Sequence, residues 1–275
     1  MAEVDYSIAK FLGDNWFLII IALIALYYFK KVFNDLRHRY FAWFMYIMTK
    51  EKSKKIEEMK GDHFSSLSSI VSNNPELRKE NAIKILEIGV GTGTNFAHYP
   101  QNCRLVVVDP NPHFASYYND NRTKFGNIHS EEIIVCGGED MDMVESNSID
   151  VVVMTLVLCS VTDVKQCLKQ IIRVLTPGGK FFFIEHVRDF DSEKHGTRQK
   201  IQDFLTTFQI WPTLFDGCYL DRKTLEMVKD AGFSSVEGEH LYVPLGQLEK
   251  TGLGPSIQNF IFQVVTPHAK GIATK

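Results

Sequence analysis

Residues 83–93 read Ile83-Lys84-Ile85-Leu86-Glu87-Ile88-Gly89-Val90-Gly91-Thr92-Gly93. Ile83 to Ile88 is a short apolar run that stops at glycine, the pattern of a buried parallel strand. Glycines just after a strand let the backbone turn tightly and approach a ligand closely. A dinucleotide fingerprint would be G-x-G-x-x-G, but Thr94 stands where its third glycine belongs, and that glycine comes one residue early, at Gly93. Working outward, apolar runs recur at 104–108, 133–136, 149–154 and 180–184. Helix-compatible stretches separate them. The clearest is Asp163 to Leu175, with Val164, Cys167, Leu168, Ile171, Ile172 and Leu175 at helical spacing and Pro177-Gly178-Gly179 as its stop. Strands alternating with helices predict a doubly wound, Rossmann-like α/β sheet, mostly parallel. Asp221 to Ala231 reads as a further helix closed by Gly232. Val236–Val243 and Phe260–Val265 read as two strands joined by a loop containing Gly and Pro. A sheet that ends in such a pair is expected to carry an antiparallel edge strand.

The loops after the strands hold the candidate cofactor residues. Leu105-Val106-Val107-Val108 ends in Asp109, a position from which a carboxylate can accept hydrogen bonds from a ribose diol. Asp109-Pro110-Asn111-Pro112 is also turn-rich, so a plain turn would use the same residues. Gly137-Gly138-Glu139-Asp140 follows the third run, where acids and backbone amides could meet an adenine edge. The candidate cofactor set is therefore Glu87, Gly89, Gly91, Gly93, Asp109, Asn111, Glu139 and Asp140.

The N-terminus differs in composition. Trp16 to Phe29 reads WFLIIIALIALYYF, without one charged side chain. As a helix it spans about 21 Å, short of a hydrocarbon core of roughly 30 Å. Glu3 and Asp5 precede it and no small-residue cleavage site follows, so it does not read as a signal peptide; a buried core helix, or an anchor that either spans or dips into the bilayer, is left. A second apolar stretch runs from Phe41 to Met48. Between Lys30 and Lys60 there are nine Lys/Arg against four Asp/Glu, a basic strip suited to an anionic lipid surface. Basic excess on the C-terminal side of an anchor places that side in the cytosol. The organisation read from this is a membrane anchor and basic amphipathic segment over 1–60, a Ser/Asn-rich connector with one short helix over 61–82, and a catalytic domain over 83–275. Membrane lipid is the expected partner of residues 16–48. With a net charge of −3, nothing points to nucleic acid. The five cysteines show no C-x-x-C pair and no Cys/His ligand spacing, so neither a disulfide framework nor a metal site is expected.

Taken in order, the motifs resemble the class I S-adenosylmethionine (SAM)-dependent methyltransferases. They are E-x-G-x-G-x-G at 87–93, a strand plus Asp at 105–109, Gly-Glu-Asp-Met at 138–141, Asp-Val-Val-Val-Met-Thr-Leu-Val-Leu-Cys at 150–159 and Arg-Val-Leu-Thr-Pro-Gly-Gly-Lys at 173–180. The resemblance implies SAM as cofactor, with Gly89, Gly91 and Gly93 beneath its methionine moiety and Asp109 on its ribose. Many relatives carry an acid where Gly137 stands, so adenine contacts here fall to Glu139 or backbone. Further stretches, Asp109 to Phe114, Leu156 to Val161, Glu185-His186-Val187, Asp216-Gly217-Cys218 and Pro267-His268, are similar to the membrane-anchored thiol S-methyltransferases of the methyltransferase-like seven group. That resemblance implies methyl transfer to small alkyl thiols or sulfide, on the endoplasmic reticulum with lipid droplets as a second location; the charge asymmetry puts the catalytic domain on the cytosolic face.

Because a thiol with a pKa near 8.5 is a few per cent thiolate at neutral pH, alignment can do most of the work. Open α/β sheets bind ligands at the C-terminal ends of their strands, which selects Thr155, Cys159 and Ser160 after one strand and Glu185 and His186 after the next. His186 is the candidate catalytic residue, taking the thiol proton or steering the thiolate. The competing readings are a quinone or lipid C- or O-methyltransferase, a non-enzymatic lipid-droplet coat protein, and a nicotinamide oxidoreductase using Tyr219-x-x-x-Lys223. The coat protein would not need the glycine loop with Asp109, and the oxidoreductase would need a different glycine spacing.

Overall fold

A computed structural model gives the architecture and describes residues 2–50, 53–126, 128–130, 133–243 and 254–275. Two compact units emerge, Met1–Tyr40 and Phe41–Lys275. Helix α1, Ala2–Thr49, contains both apolar stretches read from the sequence. Its part Leu12–Thr49 is long and apolar enough to cross a membrane. In the first unit the large side chains of this helix, among them Leu23, Tyr27 and Phe29, are exposed. From Phe41 onward it belongs to the second unit, where Ala42 is buried and Phe41 packs edge-on against Phe114.

The second unit is built on a seven-stranded sheet: β1 Lys84–Ile88, β2 Cys103–Val108, β3 Ile128–Ser130, β4 Ile149–Thr155, β5 Leu175–His186, β6 Ser235–Tyr242 and β7 Pro267–Thr274. The strand order is β3-β2-β1-β4-β5-β7-β6. The first five strands pair in parallel, while β7 runs antiparallel between β5 and β6. The mostly parallel sheet with an antiparallel edge is therefore present. Successive residues face opposite sides of a strand, and the two cores follow that rule. Val152, Met154, Phe181 and Phe183 pack on one face with Val164, Cys167, Leu168 and Ile171 of α5, Val164–Val174. Val151, Val153, Phe182 and Ile184 pack on the other face with Phe64, Leu67, Phe96 and Tyr118.

Residues 41–82 are therefore more than an amphipathic tail and connector. Helix α2, Lys54–Phe64, a 3-10 turn Ser65–Ser69 and the short α3, Pro75–Lys79, belong to the sheet unit. Full burial of Phe64 and Leu67 contributes about 1.5–3 kcal/mol each, which ties this segment to the sheet. Helix α4, Ala115–Arg122, lies between β2 and β3 in the chain.

Two strands differ from expectation. The run at 133–136 contributes only one parallel bridge, Ile134 to Val108. Ile134 is held there by main-chain bonds with Val107 and Asp109, and the chain then turns through Gly137 and Gly138; the third strand proper is Ile128–Ser130. Phe260–Val265 is not a strand but part of helix α9, Pro255–Val265, which starts with proline in its first turn. The last strand follows it at Pro267–Thr274. The loop before α9 falls largely on residues 244–253, outside the described residues. The remaining helices are α6 Ser192–Thr207, α7 Ile210–Leu214 and α8 Thr224–Lys229.

Candidate active site

After β1 the chain turns through Gly89, Gly91 and Gly93 with φ of +69°, +52° and +75°. That left-handed conformation favours glycine. Space enforces it too. A Cβ on Gly89 would stand 2.3 Å from the Val157 side chain, and one on Gly93 would stand 2.3 Å from the Phe96 ring. The Gly91 N–H donates to Asp109 Oδ2 and the Asn111 N–H to Oδ1, both at 2.9 Å. Each Asp109 oxygen therefore keeps acceptor capacity for a further donor. Burial pushes the Asp109 carboxyl up to about 6. The Asn121 amide fixes the far side of the loop through the carbonyls of Thr92 and Gly93. A bare-backbone cradle beside a buried carboxylate fits an adenosyl donor with a ribose diol.

The loop opens onto a cavity of ≈ 380 Å³. Gly89, Gly91 and Asp109 line it with Thr92 and Thr94, as do His186 at the end of β5 and Ser160 in the loop after β4. Phe41, Phe44, Met45 and Met48 of α1 also line it, with Trp211 of α7 and Phe215 just after that helix. Positions 41, 44, 45 and 48 stand at i, i+3, i+4 and i+7, one helical face, so part of the stretch expected to meet lipid lines the cavity. Lys60 Nζ reaches Thr94 Oγ1 at 3.0 Å and Thr49 Oγ1 reaches Thr92 Oγ1 at 3.1 Å, so α1 and α2 both bond to the glycine loop. An open groove of ≈ 540 Å³ over Ser66, Ser69, Lys180 and Thr274 lies at the other end of the sheet, away from these loops.

Other residues singled out from sequence sit away from the cavity. Both Glu87 oxygens lie beneath the loop, bonded to Asn95 Nδ2 at 2.8 Å and Tyr99 OH at 2.7 Å; burial pushes this carboxyl up to about 7. Asn111 is buried and its Oδ1 accepts from the His113 N–H at 3.1 Å. Glu139 Oε1 accepts from the Thr162 N–H at 2.8 Å, linking the loops around α5, and Asp140 is exposed beside it.

The ends of β4 and β5 are fastened together. Glu185 is fully buried, with Oε1 accepting from the Val157 N–H at 3.1 Å and Oε2 from the Cys159 N–H at 3.2 Å. Burial pushes it up to about 7. Leu156 at the turn takes φ +61°, a strained value for a residue with a side chain. His186 meets the His268 ring at 4.8 Å between centroids and faces Cys218 Sγ at 3.7 Å from Nδ1. Cys218 and Cys159 share a hydrogen bond at 3.5 Å between sulfurs. That bond and the nearby imidazole hold the Cys218 thiol well below the ordinary range, while the same bond and burial push Cys159 up. No spacing signals this grouping, because Cys159, His186 and Cys218 come from three separate places in the chain.

Residues 86–183 match the family model of a methyltransferase domain. The human thiol S-methyltransferase TMT1A is 33% identical over 86% of this chain and 86% of its own length. The human thiol S-methyltransferase TMT1B is 36% identical over 79% of this chain and 84% of its own. Among solved structures, the [4+2]-cyclase SpnF shares the fold at a TM-score of 0.51 and 15% identity, covering 78% of this chain and 79% of its own. With the glycine cradle and Asp109 in place, the chain belongs to the thiol S-methyltransferase family of TMT1A and TMT1B and is a SAM-dependent methyltransferase.

Proposed function

We propose that the enzyme methylates small lipophilic alkyl thiols or sulfide at the cytosolic face of the endoplasmic reticulum or on lipid droplets, held there by its N-terminal helix. The observation that carries the acceptor reading is the cavity. Aromatic and methionine side chains line it, His186 stands at its wall, and the glycine cradle opens into it. Bound SAM supplies a methyl group already activated on a sulfonium. The chain's own task is to align a soft nucleophile with that methyl and exclude water. Phe41, Phe44, Met45 and Phe215 suit an apolar acceptor and leave it few polar partners. His186 favours the ionised form of the acceptor sulfur. Gly89, Gly91 and Asp109 would hold the donor in the same cavity.

The test is transfer of labelled methyl from SAM to a panel of alkyl thiols, sulfide, phenols and quinols. Thiols and sulfide are expected to take the label. Labelling of phenols or quinols with thiols untouched would overturn the reading. The names of the relatives support the thiol choice, since they are called thiol S-methyltransferases.

For the membrane, support comes from the apolar helix with exposed Leu23, Tyr27 and Phe29. Removing residues 1–40, the first compact unit, is expected to move most of the protein into the soluble fraction after a carbonate wash. Full retention on membranes would show that the anchor lies elsewhere.

A further inference from the structure

Three ligands for a soft metal ion converge from loops far apart in sequence. Cys159 follows β4, His186 ends β5, and Cys218 sits in the turn before α8. Their ligand atoms all lie within 4.8 Å of one another. The sulfurs are 3.5 Å apart, and Cys218 Sγ is 3.7 Å from His186 Nδ1. Around tetrahedral zinc, with Zn–S about 2.3 Å and Zn–N about 2.05 Å, neighbouring sulfurs stand about 3.8 Å apart and sulfur and nitrogen about 3.5 Å. Both distances are therefore close to those of a bound ion.

The surroundings are those of a built site. Cys159 and Cys218 are buried, while His186 forms part of the cavity wall beside Ser160 and Asp216. Gly217, at φ +89°, lets the turn come close: a Cβ there would stand 3.1 Å from the Ser160 carbonyl oxygen. Glu185 holds the Cys159 backbone, and His268 packs on the His186 ring. These contacts restrain the Cys159 backbone and the His186 ring. Three protein ligands, one of which, His186, lines a substrate cavity, match the ligand count of a catalytic zinc site; structural sites have four.

We propose that Cys159, His186 and Cys218 bind one zinc ion whose fourth position takes the sulfur of the acceptor. This rests on the thiol-acceptor reading and explains how His186 favours the ionised sulfur: it does so through the ion. Two cysteine protons leave to solvent when the ion binds, and the acceptor's proton leaves when its sulfur coordinates. Two thiolates and a neutral imidazole cancel the charge of the ion, so the acceptor thiolate makes the centre singly negative, opposite in sign to a sulfonium. The sulfur's electron pair forms the new S–CH3 bond as the donor's S–CH3 bond breaks. The thioether product is neutral, a weaker ligand than thiolate, and departs. Phenol and quinol oxygens are harder ligands and compete poorly for such a site.

The experiment uses the full chain, solubilised in detergent and washed with chelator, titrated with Co2+ as a spectroscopic stand-in and then with Zn2+. One Co2+ per chain is expected, with thiolate-to-metal charge-transfer absorption that Zn2+ abolishes. Cys159→Ser and Cys218→Ser should each weaken uptake more than about a hundredfold, with SAM affinity by calorimetry reporting that the variants are folded. Addition of an alkyl thiol should shift the Co2+ spectrum. Uptake no better in the parent than in folded Cys218→Ser would overturn the site. Uptake with a spectrum indifferent to thiol would overturn acceptor coordination. Thiol methylation at full rate by metal-free protein would overturn the inference and leave the thiol reading standing, whereas methylation of phenols alone would overturn the thiol reading itself.

Discussion

Asp109→Ala is expected to weaken SAM binding about ten- to a hundredfold, the loss of roughly 1.5–3 kcal/mol that goes with a hydrogen bond to a charged group. The carboxylate has two tasks at once. It ties the Gly91 and Asn111 amides, each at 2.9 Å, and it presents remaining lone pairs to the cavity. Alanine would remove the acceptor proposed for the ribose diol and would also loosen the glycine loop, whose Gly91 N–H it no longer ties. Calorimetric titration of SAM into parent and variant measures the effect, and equal affinities would remove Asp109 from the cofactor site. pH offers a second check. Burial raises the Asp109 carboxyl to about 6. Above that pH it is ionised and accepts hydrogen bonds fully; below it the proton occupies an acceptor site. SAM affinity of the parent should therefore fall as pH drops through about 6, and the fall should be absent in Asp109→Ala.

The glycine loop and Asp109 were legible in the sequence because their constraint is local. A left-handed backbone beside a neighbouring side chain leaves glycine at position 89, and a strand end places the carboxylate. The parallel core strands were legible for the same reason: a strand buried on both faces must be a short apolar run. The last strand was not. Ala269, Gly271 and Ala273 carry no β-branched signal, because β7 is squeezed between β5 and β6; a Cβ on Gly271 would stand 2.6 Å from the Phe183 ring. The apolar run just before it, Phe260–Val265, suits either helix or strand, and only Pro255 marks it as helical. In the site itself the failure was one of distance along the chain. Cys159, His186 and Cys218 meet only after β4 and β5 pair, and no spacing rule reaches across such gaps. The cavity-facing residues of α1 were hidden differently. Phe41, Phe44, Met45 and Met48 have the helical spacing of a buried face, but an apolar stretch beside a membrane anchor reads equally well as more anchor.

His186→Ala is expected to lower kcat/KM for alkyl thiols about 10²- to 10⁴-fold, the usual contribution of a group that handles the proton of a nucleophile. The side chain stands at the cavity wall, within 3.7 Å of Cys218 Sγ, on the strand end that Glu185 fastens to the loop after β4. Since it does not touch the glycine cradle, SAM affinity should barely change. The informative readout is the dependence on acceptor acidity. An alkyl thiol of high pKa needs help to become thiolate; an acidic aromatic thiol is already ionised near neutral pH and needs little. The loss should therefore be large for the first and small for the second, whether the imidazole acts on the sulfur directly or through an ion. Steady-state rates for thiols of graded acidity, parent against variant at fixed pH, measure this. An equal loss across the series would mean that His186 only positions the acceptor. No loss anywhere would leave thiolate formation to solvent and place the whole rate enhancement in alignment between the aromatic wall and the glycine loop.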